Sequence, residues 1–154
     1  MNGLLNTRIE PITVDNVAEA CKLEVRPEQQ GQVAPVAVSL AEAYVNPASA
    51  WPRVVYAGDR LVAFVMGGFD LDSPIECFRS GIWRLNVAAG EQGRQYGRFA
   101  VEAVIAEARS RGNKRLSVLW APGEHSPEGF YLKLGFRPSG ETFAGQKVGW
   151  LELD

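Results

Sequence analysis

Apolar residues alternate, or run unbroken over a few positions, in seven places along the chain, and recur at helical spacing in four others. Thr7–Thr13 alternates and predicts a strand. Val17, Ala20, Cys21 and Leu23 supply one side of a helix over Asp15–Glu24, capped by Thr13 or Asp15. The stretch from Arg26 to Pro35 reads as a loop. Val36–Val45 fits a second helix, stopped by Asn46-Pro47. Trp51–Ala57 and Leu61–Gly68 flank Gly58-Asp59-Arg60 as a hairpin. After a loop over Phe69–Glu76, Cys77–Val87 is the next strand. Tyr96–Arg111 carries Phe99, Ala100, Ala103, Val104 and Ala108 on one face and stops at Gly112. Arg115–Trp120 reads as a buried strand. Ser126–Leu134 is a short helix with Ser126 as N-cap, Pro127 in the first position and Gly135 at its end. Phe136–Ser139 and Lys147–Leu153 are closing strands. This order predicts an α/β fold, a mixed sheet flanked by helices.

The chain has 154 residues, which suggests a single domain over 1–154 with a sizeable core. Sixteen basic and 18 acidic residues give a net charge of −2 with no basic run, which argues against a nucleic-acid partner. Cys21 and Cys77 fit no metal-ligand spacing, and the lone His125 builds no zinc site, so no metal is expected. The N-terminal residues lack the pattern of a secretion signal. No apolar run reaches the ~18 residues of a membrane span. A cytoplasmic location and no membrane partner are the expectation.

The chemistry concentrates in two stretches. Between the strand ending at Val87 and the helix starting at Tyr96 lies Gln92-Gly93-Arg94-Gln95-Tyr96-Gly97. A glycine-bearing turn at a strand-to-helix junction gathers backbone N–H groups at one point, and the helix start adds roughly half a positive charge. Such a junction binds phosphate or pyrophosphate. Arg94 and Arg98 oppose the helix dipole, a local penalty that a bound anion would relieve. The second stretch is Tyr131-Leu132-Lys133-Leu134-Gly135-Phe136, after the next strand.

Together these stretches resemble the GNAT superfamily of acyl-CoA-dependent N-acyltransferases, with its Q/R-x-x-G-x-G/A loop and its later helix ending in Y-x-x-L-G-F. The resemblance covers almost the whole chain. In wording it is similar to bacterial diamine or spermine/spermidine acetyltransferases. It implies a mixed sheet of six to seven strands with four helices and a splayed central strand pair. It implies acetyl-CoA in the splay, leaving as CoA, with the pantetheine paired to backbone over Leu85, Asn86 and Val87. The pyrophosphate would sit on the N–H groups of Gln92, Gly93, Arg94, Gln95, Tyr96, Gly97 and Arg98, with Ser126 and Lys133 as further contacts. Tyr131 would be the general acid for the departing thiolate, and a backbone N–H, that of Val87, would hold the oxyanion. The implied reaction is direct acetylation of a small-molecule primary amine, a polyamine first. An aminated antibiotic, an amino-acid derivative, a peptide, or a non-catalytic acyl-CoA-binding role are the alternatives. A homodimer is implied by analogy.

Three positions depart from the family pattern. Gln95 stands where the first glycine of the G-x-G pair is expected, which costs roughly 1–2 kcal/mol if the backbone there is left-handed. Gly81 stands where some relatives carry a catalytic glutamate, leaving Glu28, Glu76 and Glu124 as candidate bases, with His125 read as a surface residue. Glu124-His125-Ser126 replaces an asparagine near the last helix. Trp51, Trp83 and Trp120 are expected in the core, with one of them lining an acceptor pocket as the alternative. Arg84 within a strand needs a partner if it faces inward, and it could meet a substrate carboxylate.

Overall fold

The computed structural model describes residues 6–154. The reading of the N-terminus as lacking a secretion signal rests partly on residues 1–5, which lie outside the described residues. Seven strands form one sheet: β1 (Thr7–Pro11), β2 (Ala50–Ala57), β3 (Arg60–Phe69), β4 (Ser80–Val87), β5 (Arg115–Trp120), β6 (Arg137–Phe143) and β7 (Gln146–Glu152). Their order across the sheet is β1-β2-β3-β4-β5-β7-β6. Every neighbouring pair is antiparallel except β4 and β5. Four helices accompany the sheet: α1 (Val17–Cys21), α2 (Val36–Val45), α3 (Tyr96–Ser110) and α4 (Glu128–Lys133).

The two faces bury different helices. Val55, Ala63, Val65 and Ile82 meet Ala100, Val101, Val104 and Ala108 of α3. On the other face Val54, Tyr56, Phe64 and Met66 meet Ala20 of α1 and Val36 of α2. β2 and β3 contribute to both faces, and Val54–Ala57 of β2 and β3 from Leu61 onward read as unbroken apolar runs, as segments covered on both sides do. Exposed β6 is an edge strand, where Pro138 can sit without interrupting an inner ladder.

Several boundaries differ from expectation. Only five residues of the Asp15–Glu24 pattern are helical, and the start is late because the Asn16 side chain is turned back to accept from Thr13 N–H and donate to Pro11 O. The loop after it holds a 3-10 turn at Pro27–Gln29. Glu76–Phe78 is a 3-10 turn, so β4 begins at Ser80 and not at Cys77. The strand expected over Phe136–Ser139 continues to Phe143, since a tight turn folds it back onto β7.

Parallel pairing of β4 with β5 is confined to Gly81↔Ser117 and Ile82↔Val118. Past those residues the strands diverge, and the sheet opens into a cleft. A bulge marks the same place. Met66 pairs with Arg84 and Gly67 with Ile82, so Trp83 has no opposite residue on β3. A bulge re-aims side chains. Trp83 packs with the α1–α2 cluster, and Arg84 reaches Glu42 of α2, so consecutive side chains share one face.

Candidate active site

The cleft between the splayed strands has a volume of about 1340 Å³. One end is walled by the loop before α2, the segment from Gln92 to Arg98 and the start of α4. The other end is walled by Asp70, Ser73, Cys77 and Phe78, and by the turn between β6 and β7. Tyr131 and Trp120 line the same cleft.

The anion-binding end is built by the backbone. Gly93 has φ 79° and Gln95 φ 71°, so two left-handed residues curl the segment just before α3. Phe99 N–H is the first in the helix to find an acceptor, Gln95 O at 3.0 Å. The N–H groups of Tyr96, Gly97 and Arg98 are left without intrahelical partners at the positive end of a 15-residue helix. These three residues line the cleft. Orphaned donors, a helix dipole and a curled backbone suit a polyphosphate.

Gln95 therefore carries the strain that a glycine would avoid. Gln95→Gly should raise Tm by about 2–3 °C, the relief of a left-handed non-glycine less the entropy glycine loses on folding. A fall in Tm on thermal unfolding would remove the strain account.

Other predicted positions are redistributed. Gly97 is no open cradle: it lies buried in the first turn of α3, and a Cβ there would meet the Phe130 ring at 3.2 Å. It lets α3 and α4 approach. Arg94 is exposed, pairs with Glu91 at 3.5 Å and lies outside the cleft wall. Arg98 lines the cleft and pairs with Glu102 one turn on. Tyr96 is core as well as wall. The Gln92 side chain is a clamp. Its Nε2 donates to Val87 O at 2.9 Å and to Gln29 Oε1 at 3.1 Å, tying the loop to β4 and to the 3-10 turn before α2. Ser126 accepts from Glu128 N–H at 3.2 Å and lines the cleft beside exposed Lys133.

The β4 edge from Trp83 to Val87 has no partner strand on its β5 side. Ala88 N–H donates to Val62 O on β3, so by strand alternation Val87 N–H points toward the open edge. Gln92 takes Val87 O, which leaves the Val87 N–H as the free group. Leu85 and Val87 line the cleft, while Asn86 does not. Its Nδ2 donates to Ala34 O on the α2 side, and its Oδ1 is buried without a partner.

Tyr131 is wedged among aromatics. It stacks on Trp120 (5.8 Å between centroids, 12° between planes) and meets Phe130 and Phe136 edge-on. Among the described residues no hydrogen bond ties its hydroxyl to the protein. Burial pushes its pKa above the ordinary phenol value, so it stays protonated. Trp120 sits over Gly149 of β7, where a Cβ would lie 2.5 Å from the indole.

None of the three glutamates named as bases reaches the cleft: Glu28 and Glu124 are exposed, and Glu76 pairs with Arg115 at 3.0 Å on the surface. At Gly81 a Cβ would run into Ser117 Oγ, whose hydroxyl donates to Cys77 O at 2.6 Å. Burial pushes the Cys77 thiol pKa up. Trp83 lines the cleft and is not purely core, and Arg84 beside it finds its inward partner in Glu42 at 2.8 Å.

Sequence reasoning missed the roles of Gln29 and Gly149, and it left open which tryptophan lines the cleft, where Trp83 and Trp120 both do. Nothing local marks an amide clamp between residues 63 positions apart, or a bulge.

A model of the acetyltransferase (GNAT) family matches residues 19–136, which include the cleft's anion-binding end and Tyr131. The chain belongs to the GNAT family of acetyltransferases. As a member it is an N-acetyltransferase with acetyl-CoA as cosubstrate, and the seven-stranded mixed sheet with four helices is the GNAT fold. The GNAT domain of S. lividans PAT is similar in fold, with TM-score 0.76 at 18% identity over 96% of this chain and 90% of that one. A PaiA N-acetyltransferase from Thermoplasma acidophilum, in complex with coenzyme A, gives TM-score 0.70 at 12% identity over 95% and 98% of the two chains. The ribosomal-protein-S18-alanine N-acetyltransferase from Escherichia coli gives 0.69 at 16% identity over 96% and 94%. No curated protein matches the chain. Among the described residues no helix is long and apolar enough to cross a membrane, and no cluster of three His, Cys, Asp or Glu could hold a metal ion.

Proposed function

We propose that this chain acetylates the primary amine of a small molecule, with residues 1–154 acting as one catalytic unit. The observation that carries this reading is the shape of the cleft's acceptor end. Phe78, before β4, and Phe143, at the β6–β7 turn, touch edge-to-face at 4.8 Å. Both line the cleft, so its two walls are joined at this end. A joined wall favours a small acceptor over a peptide, which needs an open groove.

Bound acetyl-CoA supplies a thioester carbonyl open to attack by a neutral amine. The chain's contribution is placement and charge. N–H groups at the start of α3 and the Arg98 side chain hold the phosphates. The free β4 edge takes the pantetheine as an added strand would. Val87 N–H donates to the developing oxyanion. Tyr131 Oη, protonated and without a hydrogen-bond partner among the described residues, gives its proton to the departing thiolate as the C–S bond breaks, and the proton lost by the attacking nitrogen restores it through solvent.

A polyamine needs carboxylates spaced along the cleft. The wall carries Asp70 and Glu91, and Glu91 already takes Arg60 at 3.1 Å. One uncommitted carboxylate suits one ammonium group, so a monoamine fits better. Thiol release from acetyl-CoA with monoamines, diamines, spermidine and short peptides tests this. Monoamines should show the highest kcat/KM. Release with peptides alone would sink the small-molecule reading, and no release despite bound CoA would sink catalysis.

A further inference from the structure

The acceptor end is more aromatic than binding an amine requires. Phe78 and Phe143 keep 40% and 37% of their surface exposed, on residues that normally bury. They are not scattered, since they touch each other and both line the cleft, as Trp83 does. Their placement also holds strain. Phe143 pairs with Gln146 across a two-residue turn, in which Ala144 and Gly145 have φ 52° and 82°. A turn of this hand favours Asn or Gly at its first central position. Alanine is left-handed there at a cost, and the turn brings Phe143 against Phe78.

We infer that the acceptor carries its amine on an aromatic body, which the Phe78–Phe143 pair receives at the mouth of the cleft. The inference rests on the small-molecule amine reading and names its substrate class. Asp70 lines the cleft and its backbone N–H bonds Arg79 O next to Phe78, so its carboxylate would meet the ammonium form before the amine loses its proton. Arg84 is not available for a substrate carboxylate, because Nη2 donates to Glu42 at 2.8 Å and Nη1 to Trp83 O at 3.1 Å. An arylalkyl monoamine matches that end of the cleft, with its apolar rings and the Asp70 carboxylate.

The test compares 2-phenylethylamine with butylamine, two primary amines of similar basicity. For the unmodified protein with saturating acetyl-CoA, kcat/KM should favour the aryl amine by about 10- to 100-fold, the range expected for burying a phenyl ring. Phe78→Ala and Phe143→Ala should each pull that ratio toward one. Phe78→Leu and Phe143→Leu, which keep apolar volume, should retain part of it and guard against a folding defect. Equal kcat/KM for both amines in the unmodified protein would overturn the inference, as would an aryl preference untouched by both alanine variants. Equilibrium binding to the CoA-saturated protein separates the two readings. Tighter binding of 2-phenylethylamine, weakened in Phe78→Ala, without any turnover, would support the aryl site and defeat the transferase reading. Equal binding of both amines, or none, would defeat the aryl site.

Discussion

Tyr131→Phe should lower kcat on the order of 100-fold, at the low end for losing a general acid, while leaving Tm and the acetyl-CoA KM nearly unchanged. The two halves of this expectation have separate physical grounds. The ring is held by the stack on Trp120 and by edge contacts to Phe130 and Phe136, none of which needs the hydroxyl. The hydroxyl has no protein partner among the described residues, so its removal leaves no buried group unpaired. Burial raises the phenol's pKa, which sets the sign of the pH dependence. The protonated acid persists beyond pH 10, its ordinary pKa, so kcat/KM should climb as the amine deprotonates and show no descending limb from Tyr131 below that pH. Full turnover in the variant, measured by thiol release, would remove the acid role. A large drop in Tm alongside lost turnover would make Tyr131 a packing residue only.

Gly149→Ala is the second large effect. A Cβ at Gly149 would lie 2.5 Å from both Cη2 and Cζ3 of Trp120, which is 1% exposed and has no room to yield. Overpacking of this kind costs about 1–3 kcal/mol. For a chain of this size that is about 3–10 °C in Tm. Activity should fall further than stability accounts for, because a displaced indole carries Tyr131 with it. Trp120→Phe removes the clashing atoms, so Gly149→Ala should cost less in that background. A double-mutant cycle by thermal unfolding, with activity measured in parallel, checks this. Additive effects would show that the indole is not what the glycine accommodates.

Much of the fold was legible because its signals are local. Unbroken apolar runs over Val54–Ala57 and from Leu61 report strand segments covered on both faces, and the 3.6-residue spacing from Tyr96 reports α3. The glycine-bearing turn before Tyr96, with the helix start after it, announced an anion site, and the Tyr131–Phe136 wording supplied the family. The turn also exposed its weak point, since Gln95 is left-handed where glycine would be relaxed. Less legible were the helix starts and strand ends, where side chains such as Asn16 compete for backbone groups.

Periodicity and turn chemistry act within a few residues, so they could establish the elements, their order and the anion-binding segment. The splay of β4 from β5, the bulge that turns Trp83 and Arg84 to one face, and the clamp from Gln92 to Gln29 depend on contacts between distant segments. Which glycine cradles and which merely makes room, Gly93 against Gly97 and Gly149, depends on the side chain facing it. The acceptor end is of the same kind. Phe78 and Phe143 lie 65 positions apart, and only the folding of β6 onto β7 brings their rings into contact.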